Sequence, residues 1–140
     1  MKQTVIALFM LLLVNLLVAQ VGLFDIEFGQ DYASARLTLE EWEPPFELEE
    51  KLGYTAIFTS SSNDLIDYLE LRLDEDFVDG YLISFFDDDE TWELLIETLE
   101  ERHGSDEVWD EDISGYVWEL ENGRTVTASY DGEYITVEYL

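Results

Sequence analysis

A stretch near the C-terminus has the ligand spacing of a calcium-binding loop. Asp110 to Glu121 place oxygen-bearing side chains at positions 1, 3 and 5, a glycine at position 6, an aliphatic residue at position 8 and a glutamate at position 12. This is the pattern of an EF-hand loop, which also needs a helix on each side. Ile113 stands where a polar residue is usual, and the residues after Gly115 alternate as in a strand. We therefore expect a solvated loop leading into a strand, with calcium coordination as the alternative.

Two other acidic clusters also attract attention as cation sites. Asp74 to Asp76, followed by Asp79 and Gly80, has the composition of a hairpin turn. Asp87 to Glu90 has the composition of a helix start, where acidic side chains face the positive end of the helix dipole. The pattern favours weak association of divalent cations across several clusters over one ordered site. We therefore assign no metal-binding residue.

The residues on which common enzymes depend are missing from this chain. It has no cysteine and one histidine, His103, which we expect to complement the C-terminal dipole of a helix rather than transfer protons. It has no histidine pair for zinc, no glycine-rich phosphate loop and no serine in a nucleophile elbow. We predict that the protein is not an enzyme and assign no catalytic and no cofactor-binding residue. A carboxylate-based hydrolase stays an alternative, because the 34 acidic residues include many pairs that spacing cannot rank.

Aromatic side chains concentrate in the last part of the chain. They are Trp109, Tyr116, Trp118, Tyr130, Tyr134 and Tyr139. Exposed aromatic residues on a sheet can stack on sugars or anchor a protein partner. For Tyr116 and Trp118 we favour a place in the core or in cross-strand pairs.

Two helices are expected among the elements that position these residues. Asp31 can cap a helix over residues 32–42, although the same residues also fit a strand. Asp87 or Asp88 can cap a second helix, in which apolar residues recur at i, i+3, i+4 and i+7 and which ends before Gly104. The apolar residues of that stripe are Trp92, Leu95, Ile96 and Leu99.

Period-two alternation predicts six strands and one optional strand. The first three cover residues 52–58, 65–73 and 77–86, and Gly80 is expected at a bulge. The last three cover residues 116–120, 126–130 and 135–139, and Asn122-Gly123 and Asp131-Gly132 are the preferred residues of two-residue hairpin turns. Phe24, Ile26 and Phe28 alternate as a short strand would.

These elements predict an α+β fold with the order (β)-α-β-β-β-α-β-β-β. The expected architecture is an antiparallel meander sheet with two helices on one face. The order is also that of a duplicated α-β-β-β unit, although the two halves share no residue pattern that can be aligned.

The first 19 residues have the features of a cleavable signal peptide. Lys2 supplies a positive charge, the run from Thr4 to Ala19 is apolar except for Asn15, and Ala19 is a small residue at the cleavage position. The alternative is an uncleaved anchor, because weaker apolar character continues beyond Ala19 towards the ~20 residues that a membrane span needs. A lipid anchor would require a cysteine after the apolar run.

We accordingly expect residues 1–19 to be a signal peptide and residues 20–140 to form one acidic domain. The domain is predicted to be exported to the periplasm or beyond the cell, and to meet the membrane only if the leader is uncleaved. Without cysteine its stability must come from a packed core, even though that compartment permits disulfides.

The net charge of −28 restricts the partners of the domain. Nucleic acid binding depends on Lys and Arg that neutralise phosphates, and the whole chain has six such residues. Nucleic acids and anionic membrane surfaces are therefore excluded, and cations, basic proteins or neutral ligands are favoured. The carboxylates are expected to form a solvated shell suited to a cation-rich medium, with a specific acidic binding surface as the alternative.

The C-terminal hairpins and the Phe28-Gly29 pair carry a resemblance to a group of bacterial proteins. The hairpin segments concerned are Tyr116-Val117-Trp118, Gly123 to Thr127, Tyr130 and Ile135 to Tyr139. The chain resembles small uncharacterised exported bacterial α+β proteins, in which a Phe-Gly-led helix precedes a meander, a second helix and closing hairpins. The resemblance covers most of residues 20–140 and rests on general hairpin features. It implies fold and export but no activity and no functional residue, and the extreme acidity departs from it.

The sequence as a whole predicts an exported binding or interaction module. The expected partner is a protein or a cell-envelope component bound through the face or the edge of the sheet. The alternatives are a cation-responsive domain that binds calcium weakly and the carboxylate-based hydrolase.

Overall fold

The computed structural model of the protein describes residues 22–87 and 89–140. The predicted signal peptide, residues 1–19, lies outside the described residues. Within the described part, neither helix combines the length and the apolar character that crossing a membrane requires.

The described residues form one antiparallel sheet with two helices. The helices are α1 (Tyr32–Glu40) and α2 (Asp89–His103). The strands are β1 (Glu47–Leu52), β2 (Thr55–Thr59), β3 (Ile66–Asp74), β4 (Phe77–Phe86), β5 (Val108–Asp110), β6 (Gly115–Glu119), β7 (Thr125–Tyr130) and β8 (Tyr134–Tyr139). The strand order in space is β1-β2-β3-β4-β8-β7-β6-β5, so β1 and β5 are the two edges.

The predicted α+β class, with six or seven strands and two helices on one face, is wrong. The described part of the chain is mainly a single eight-stranded antiparallel sheet, accompanied by only two helices. Four strands follow each helix, where the proposed α-β-β-β repeat has three. The last strand of each group, β4 and β8, pair in the middle of the sheet, where Ile83 lies opposite Val137. Alternation along a strand tells which face is buried, but it does not tell which distant strand becomes the neighbour.

Two strands, β1 and β5, lie in segments where the sequence analysis predicted no strand or, in β1, a strand at the last residue only. β1 reads Glu-Leu-Glu-Glu-Lys-Leu, and glutamate is depleted in strands. It forms as an edge strand, where charge is tolerated, and Gly53 with φ +53° completes the turn into β2. β5 has only three residues and ends at Asp110, where the predicted solvated loop begins.

The optional first strand is also absent. Leu23–Asp25 form a short 3-10 helix in which Phe24 and Asp25 have positive φ values of 60° and 57°. The Phe24 ring packs edge-on against Trp42, with the ring centroids 5.3 Å apart. The alternation of apolar residues there reflects packing of an irregular segment, not a strand.

The helices and the order of the C-terminal strands are confirmed, whereas the predicted two-residue turns are wrong, because Asn122-Gly123 lies in a connection of five residues (120–124) and Asp131-Gly132 in one of three (131–133). Asp31 caps α1 by accepting a hydrogen bond from the backbone N–H of Ser34 at 2.9 Å, and β6, β7 and β8 pair in sequence. The register shift next to Gly80 confirms an irregularity in β4. A Cβ atom on Gly80 would lie 2.7 Å from the Tyr139 carbonyl oxygen, so β4 and β8 approach closely there.

One face of the sheet carries the hydrophobic core. Cross-strand pairs such as Leu69 with Ile83 and Ala128 with Val137 are fully buried on this face. The helices add four fully or almost fully buried apolar residues to the same cluster, Ala35, Leu39, Leu95 and Leu99. Buried side chains from both helices and from the central strands therefore pack together on this face.

Candidate functional site

A cleft of about 560 Å³ lies beside the β5 edge of the sheet. It is bounded by the start of α2, the turn between β5 and β6, and the end of β7. Its lining residues are Asp87, Trp92, Glu93, Trp109, Ser114 and Tyr130. The volume falls in the range of roughly 300–1,000 Å³ that is usual for small-ligand sites.

The aromatic walls of the cleft are held by contacts among the rings. Tyr116 on β6 lies between Trp92, at a ring-centroid distance of 6.3 Å, and Trp109, at 5.0 Å. Trp109 is directly opposite Tyr116 in the register of β5 and β6. Behind them the buried Trp118 donates its indole N–H to the Gly104 carbonyl at 2.9 Å. Trp109 and Tyr130 nevertheless stay 49% and 38% exposed, so rigid aromatic surface faces the solvent.

The polar side of the cleft is acidic. The Tyr130 hydroxyl donates a 2.7 Å hydrogen bond to the Asp87 carboxylate, which fixes both side chains at one wall. Glu93 and Ser114 supply a second carboxylate and a hydroxyl, and no basic side chain is among the described residues that line the cleft. The site therefore offers aromatic faces, negative charge and few hydrogen-bond donors.

The turn between β5 and β6 borders this cleft and leads into a strand, as expected for Asp110 to Glu121, with calcium coordination as the alternative. Asp110 accepts the backbone N–H of Asp112 at 2.9 Å, and Ser114 adopts a positive φ of 51°. Glu121, the last residue of the calcium pattern, lies beyond β6. Six extended residues from 115 to 120 span about 20 Å, so the first and last positions of the pattern do not converge as in an EF-hand.

The other acidic clusters have the structural roles that their compositions predict. Glu75 and Asp76 form the turn between β3 and β4, both with positive φ, and α2 begins at Asp89. Among the described residues, no group of three or more His, Cys, Asp or Glu side chains is arranged to hold a metal ion. The side chains of Asp88 and Asp89 lie outside the described part.

His103 has a different role from the predicted one. Its Nε2 atom lies 2.9 Å from the Tyr139 hydroxyl, which also accepts the backbone N–H of Leu23 at 3.0 Å. Burial, assisted by repulsion from Arg102, lowers the pKa of His103 to about 4. The side chain is therefore neutral near pH 7, and the prediction that it carries a positive charge at the helix end is wrong.

The predicted aromatic group divides into core and cleft residues. Trp118 and Tyr139 are buried, and Tyr139 stacks on Tyr81 with the ring centroids 4.4 Å apart. Burial raises the pKa of Tyr139. Tyr134 is half-buried and contacts Phe86 at 6.1 Å, away from the cleft lining. The core or cross-strand role favoured for Trp118 and Tyr116 is confirmed.

Four of the lining residues were not predicted to share a cleft, namely Asp87, Trp92, Glu93 and Ser114. Asp87 was named only in the acidic cluster at the helix start. Trp92 belongs to the apolar stripe of α2, and a helical stripe alone does not separate a cleft wall from the core. Asp87 and Glu93 are two among 34 acidic residues. The only available signal was that Trp92 is the bulkiest member of the stripe and lies at its N-terminal end.

A second cavity of about 250 Å³ lies between the N-terminal 3-10 helix and α2. Its walls are almost entirely apolar and include Phe24, Trp42 and Leu94. Its one charged residue, Arg102, already donates to the Gly22 carbonyl at 2.7 Å and lies 3.6 Å from the Asp25 carboxylate. This cavity therefore lacks free polar groups that would orient a ligand.

No protein family model matches this chain, and no curated protein and no solved structure is similar enough to it to count as a match. The candidate site therefore rests on its own geometry.

Proposed function

We propose that this protein is a binding module that holds its ligand in the aromatic cleft at the β5 edge. The observation that carries the proposal is the state of Trp109, which is 49% exposed although Tyr116 holds it edge-on at 5.0 Å. Large aromatic side chains that are rigid before binding lose little entropy when a ligand covers them. Covering apolar surface stabilises a complex by about 25 cal/mol per Å², which makes Trp109 and Tyr130 the expected anchors.

The partner in this proposal is a small molecule or one side chain of a larger partner, such as a protein or a component of the cell envelope. The sequence analysis expected binding at the face or the edge of the sheet, and we propose the β5 edge as the binding position because the cleft lies there. That the protein is not an enzyme stays a prediction.

Indole signals in a nuclear magnetic resonance experiment test the proposal. The chain has four tryptophans, of which Trp92 and Trp109 line the cleft, Trp42 lines the second cavity, and Trp118 is buried. Protein labelled with ¹⁵N at the indole nitrogen is titrated with a library of small fragments that includes anions, cations and neutral molecules. We expect hits that shift the Trp92 and Trp109 signals and leave Trp42 and Trp118 unchanged.

Single Trp→Phe variants assign the four signals. A library whose hits shift only Trp42, or none of the four, contradicts the proposal. Tyr54→Ala is the matched control for Trp109→Ala, because Tyr54 is an aromatic residue that is 77% exposed and does not line the cleft. Trp109→Ala should remove the shift of Trp92, whereas Tyr54→Ala should leave the titration as in the wild type.

We also propose that residues 1–19 are an export signal cleaved after Ala19. Support comes from the sequence, in which Lys2 precedes an apolar run from Thr4 to Ala19 that ends on a small residue at the cleavage position. Expression of the full chain in a bacterial host, followed by mass determination of the exported protein, should give a chain that begins at Gln20. A full-length chain held in the membrane would instead establish the uncleaved anchor.

A further inference from the structure

We infer that the cleft selects organic cations, that is, substituted ammonium or guanidinium groups that carry apolar surface. This inference rests on the proposed function and names the ligand chemistry of the same site. A cation close to the face of Trp or Tyr is attracted by the ring quadrupole, and the attraction is largest when both are shielded from water. Trp92, Trp109 and Tyr130 supply such rings around one cavity.

The carboxylates of Asp87 and Glu93 favour a positively charged ligand over a neutral or a negative one. Asp87 and Glu93 line the cleft together with Trp92, and no Lys, Arg or His is among the described lining residues. An anion would meet uncompensated repulsion there. The Asp87 carboxylate is oriented by the Tyr130 hydroxyl at 2.7 Å, so its charge is directed without being neutralised.

Two other ligand classes fit the cleft less well. A bare divalent ion needs several oxygen ligands at about 2.0–2.6 Å, and no such group exists among the described residues. A neutral sugar can stack on the rings and donate its hydroxyls to the carboxylates, but it leaves their negative charge unpaired when it covers them. An organic cation needs only aromatic faces and negative charge, and both are present.

The long-range field of the protein supports the same choice. The net charge of −28 raises the local concentration of every cation near the surface. That field does not distinguish one cation from another, and it is screened within about 10 Å at 0.1 M salt. The rings of the cleft provide the discrimination in favour of alkylated cations over sodium.

The test compares choline with its neutral carbon isostere, in which a tert-butyl group replaces the trimethylammonium group. Both are titrated into the wild-type protein at constant ionic strength, and the Trp92 and Trp109 indole signals are followed. The expected dissociation constant of choline is lower by about tenfold or more, which corresponds to roughly 1.4 kcal/mol of cation–π and charge attraction. Lysine and arginine whose backbone amino and carboxyl groups are capped form two further arms. They test whether the cleft prefers a side chain of a partner protein to a free small-molecule cation such as choline.

Glu93→Gln is the diagnostic variant, with Glu97→Gln as its matched control. Both residues are exposed on α2 one helical turn apart, but only Glu93 lines the cleft. Glu93→Gln should weaken choline binding several-fold and leave the isostere unchanged, whereas Glu97→Gln should alter neither. Both variants keep the side-chain shape, and circular dichroism verifies that they fold.

The failure of this inference is distinguishable from failure of the proposed function. If the isostere or a neutral sugar shifts Trp92 and Trp109 as strongly as choline, the cation inference is wrong and the cleft remains a binding site. If equal losses follow Glu93→Gln and Glu97→Gln, the attraction is only that of the whole acidic surface, and the inference is again wrong. If no ligand of any charge shifts the two signals, both proposals fall.

Discussion

The two edges of the sheet are built from the same kind of backbone but present different chemistry. β1 is six residues long, carries three glutamates and has five exposed positions. β5 is three residues long, and its Val108 and Trp109 are 67% and 49% exposed. An open edge can pair with another chain, and charge is one of the devices that prevent this.

This difference shows that the two edges of one acidic protein can offer different contacts to other molecules. At β1 the carboxylates of Glu49 and Glu50 share a shallow groove with Asp67 and Glu70, which repels strands and anions alike. At β5 the strand is too short to offer a long ladder, and the aromatic cleft beside it offers side-chain contacts instead. Negative charge lines one edge, and the other edge is where we propose that a ligand binds.

The largest effect is expected from Gly115→Val, which disturbs the pairing of β6 with β7 next to the β5 edge. A Cβ atom on Gly115 would lie 2.1 Å from the Ala128 carbonyl oxygen, so β6 and β7 must separate to admit it. We expect a loss of about 3 kcal/mol or more in the free energy of unfolding, measured with urea. The control at the other edge is Gly53→Ala, which has nothing within 4 Å and a φ of +53° and should cost only about 1 kcal/mol. Equal losses would mean that the two edges are equally tolerant.

Acidification should lower the free energy of unfolding, because His103 at the end of α2 becomes protonated. The pKa of His103 is lowered from 6.5 to about 4 in the folded protein, mainly by burial. Unfolding therefore takes up a proton between these two values, and the stability contributed by neutral His103 is lost as the pH falls from about 6.5 towards 4. His103→Gln lacks this proton uptake.

The measurement is the difference in unfolding free energy between wild type and His103→Gln at pH 7 and at pH 5. We expect the advantage of the wild type to shrink at pH 5. Titration of the many carboxylates affects both proteins and cancels in the difference. A difference that stays constant with pH would show that His103 is not buried as described.

Added salt should stabilise the whole protein. Like charges repel across the acidic surface, and the screening length falls to ~3 Å at 1 M salt. We expect the melting temperature to rise by several degrees between low salt and 1 M sodium chloride, measured by calorimetry. A melting temperature independent of salt would mean that the net charge of −28 does not strain the folded state.

The smallest effect is expected from Glu50→Gln at the β1 edge. It removes one of four carboxylates from the groove shared with Asp67 and Glu70. Glu50 lies opposite Ile57, so Glu50 and Glu70 are two strands apart, and relief of their solvent-exposed repulsion should be worth less than about 1 kcal/mol. The variant should melt slightly higher than the wild type at low salt and equally at high salt. Asp64→Asn, an exposed change outside that groove, is the control for loss of one charge. An equal gain from both variants would assign the effect to net charge alone.

Local elements were predicted well where their structure depends on residues that are close together in the chain. The cap at Asp31, the apolar stripe of α2 and the alternation from Gly115 to Tyr139 depend on neighbours within a few positions. β1 was missed because an edge strand needs no apolar face, and its glutamates are typical of a loop. β5 was missed because three residues are too few to show an alternating pattern.

What the sequence alone determined is the two helices, the C-terminal strands, the missing disulfides and the sign of the charge. These follow from residue type and from spacing along a short segment. Only the tertiary structure decided that β4 pairs with β8, that His103 is neutral, and that Trp92 meets Trp109 across a cleft. Each of these depends on contacts between residues far apart in the chain, where burial and the choice of neighbour are set by how all eight strands pack at once.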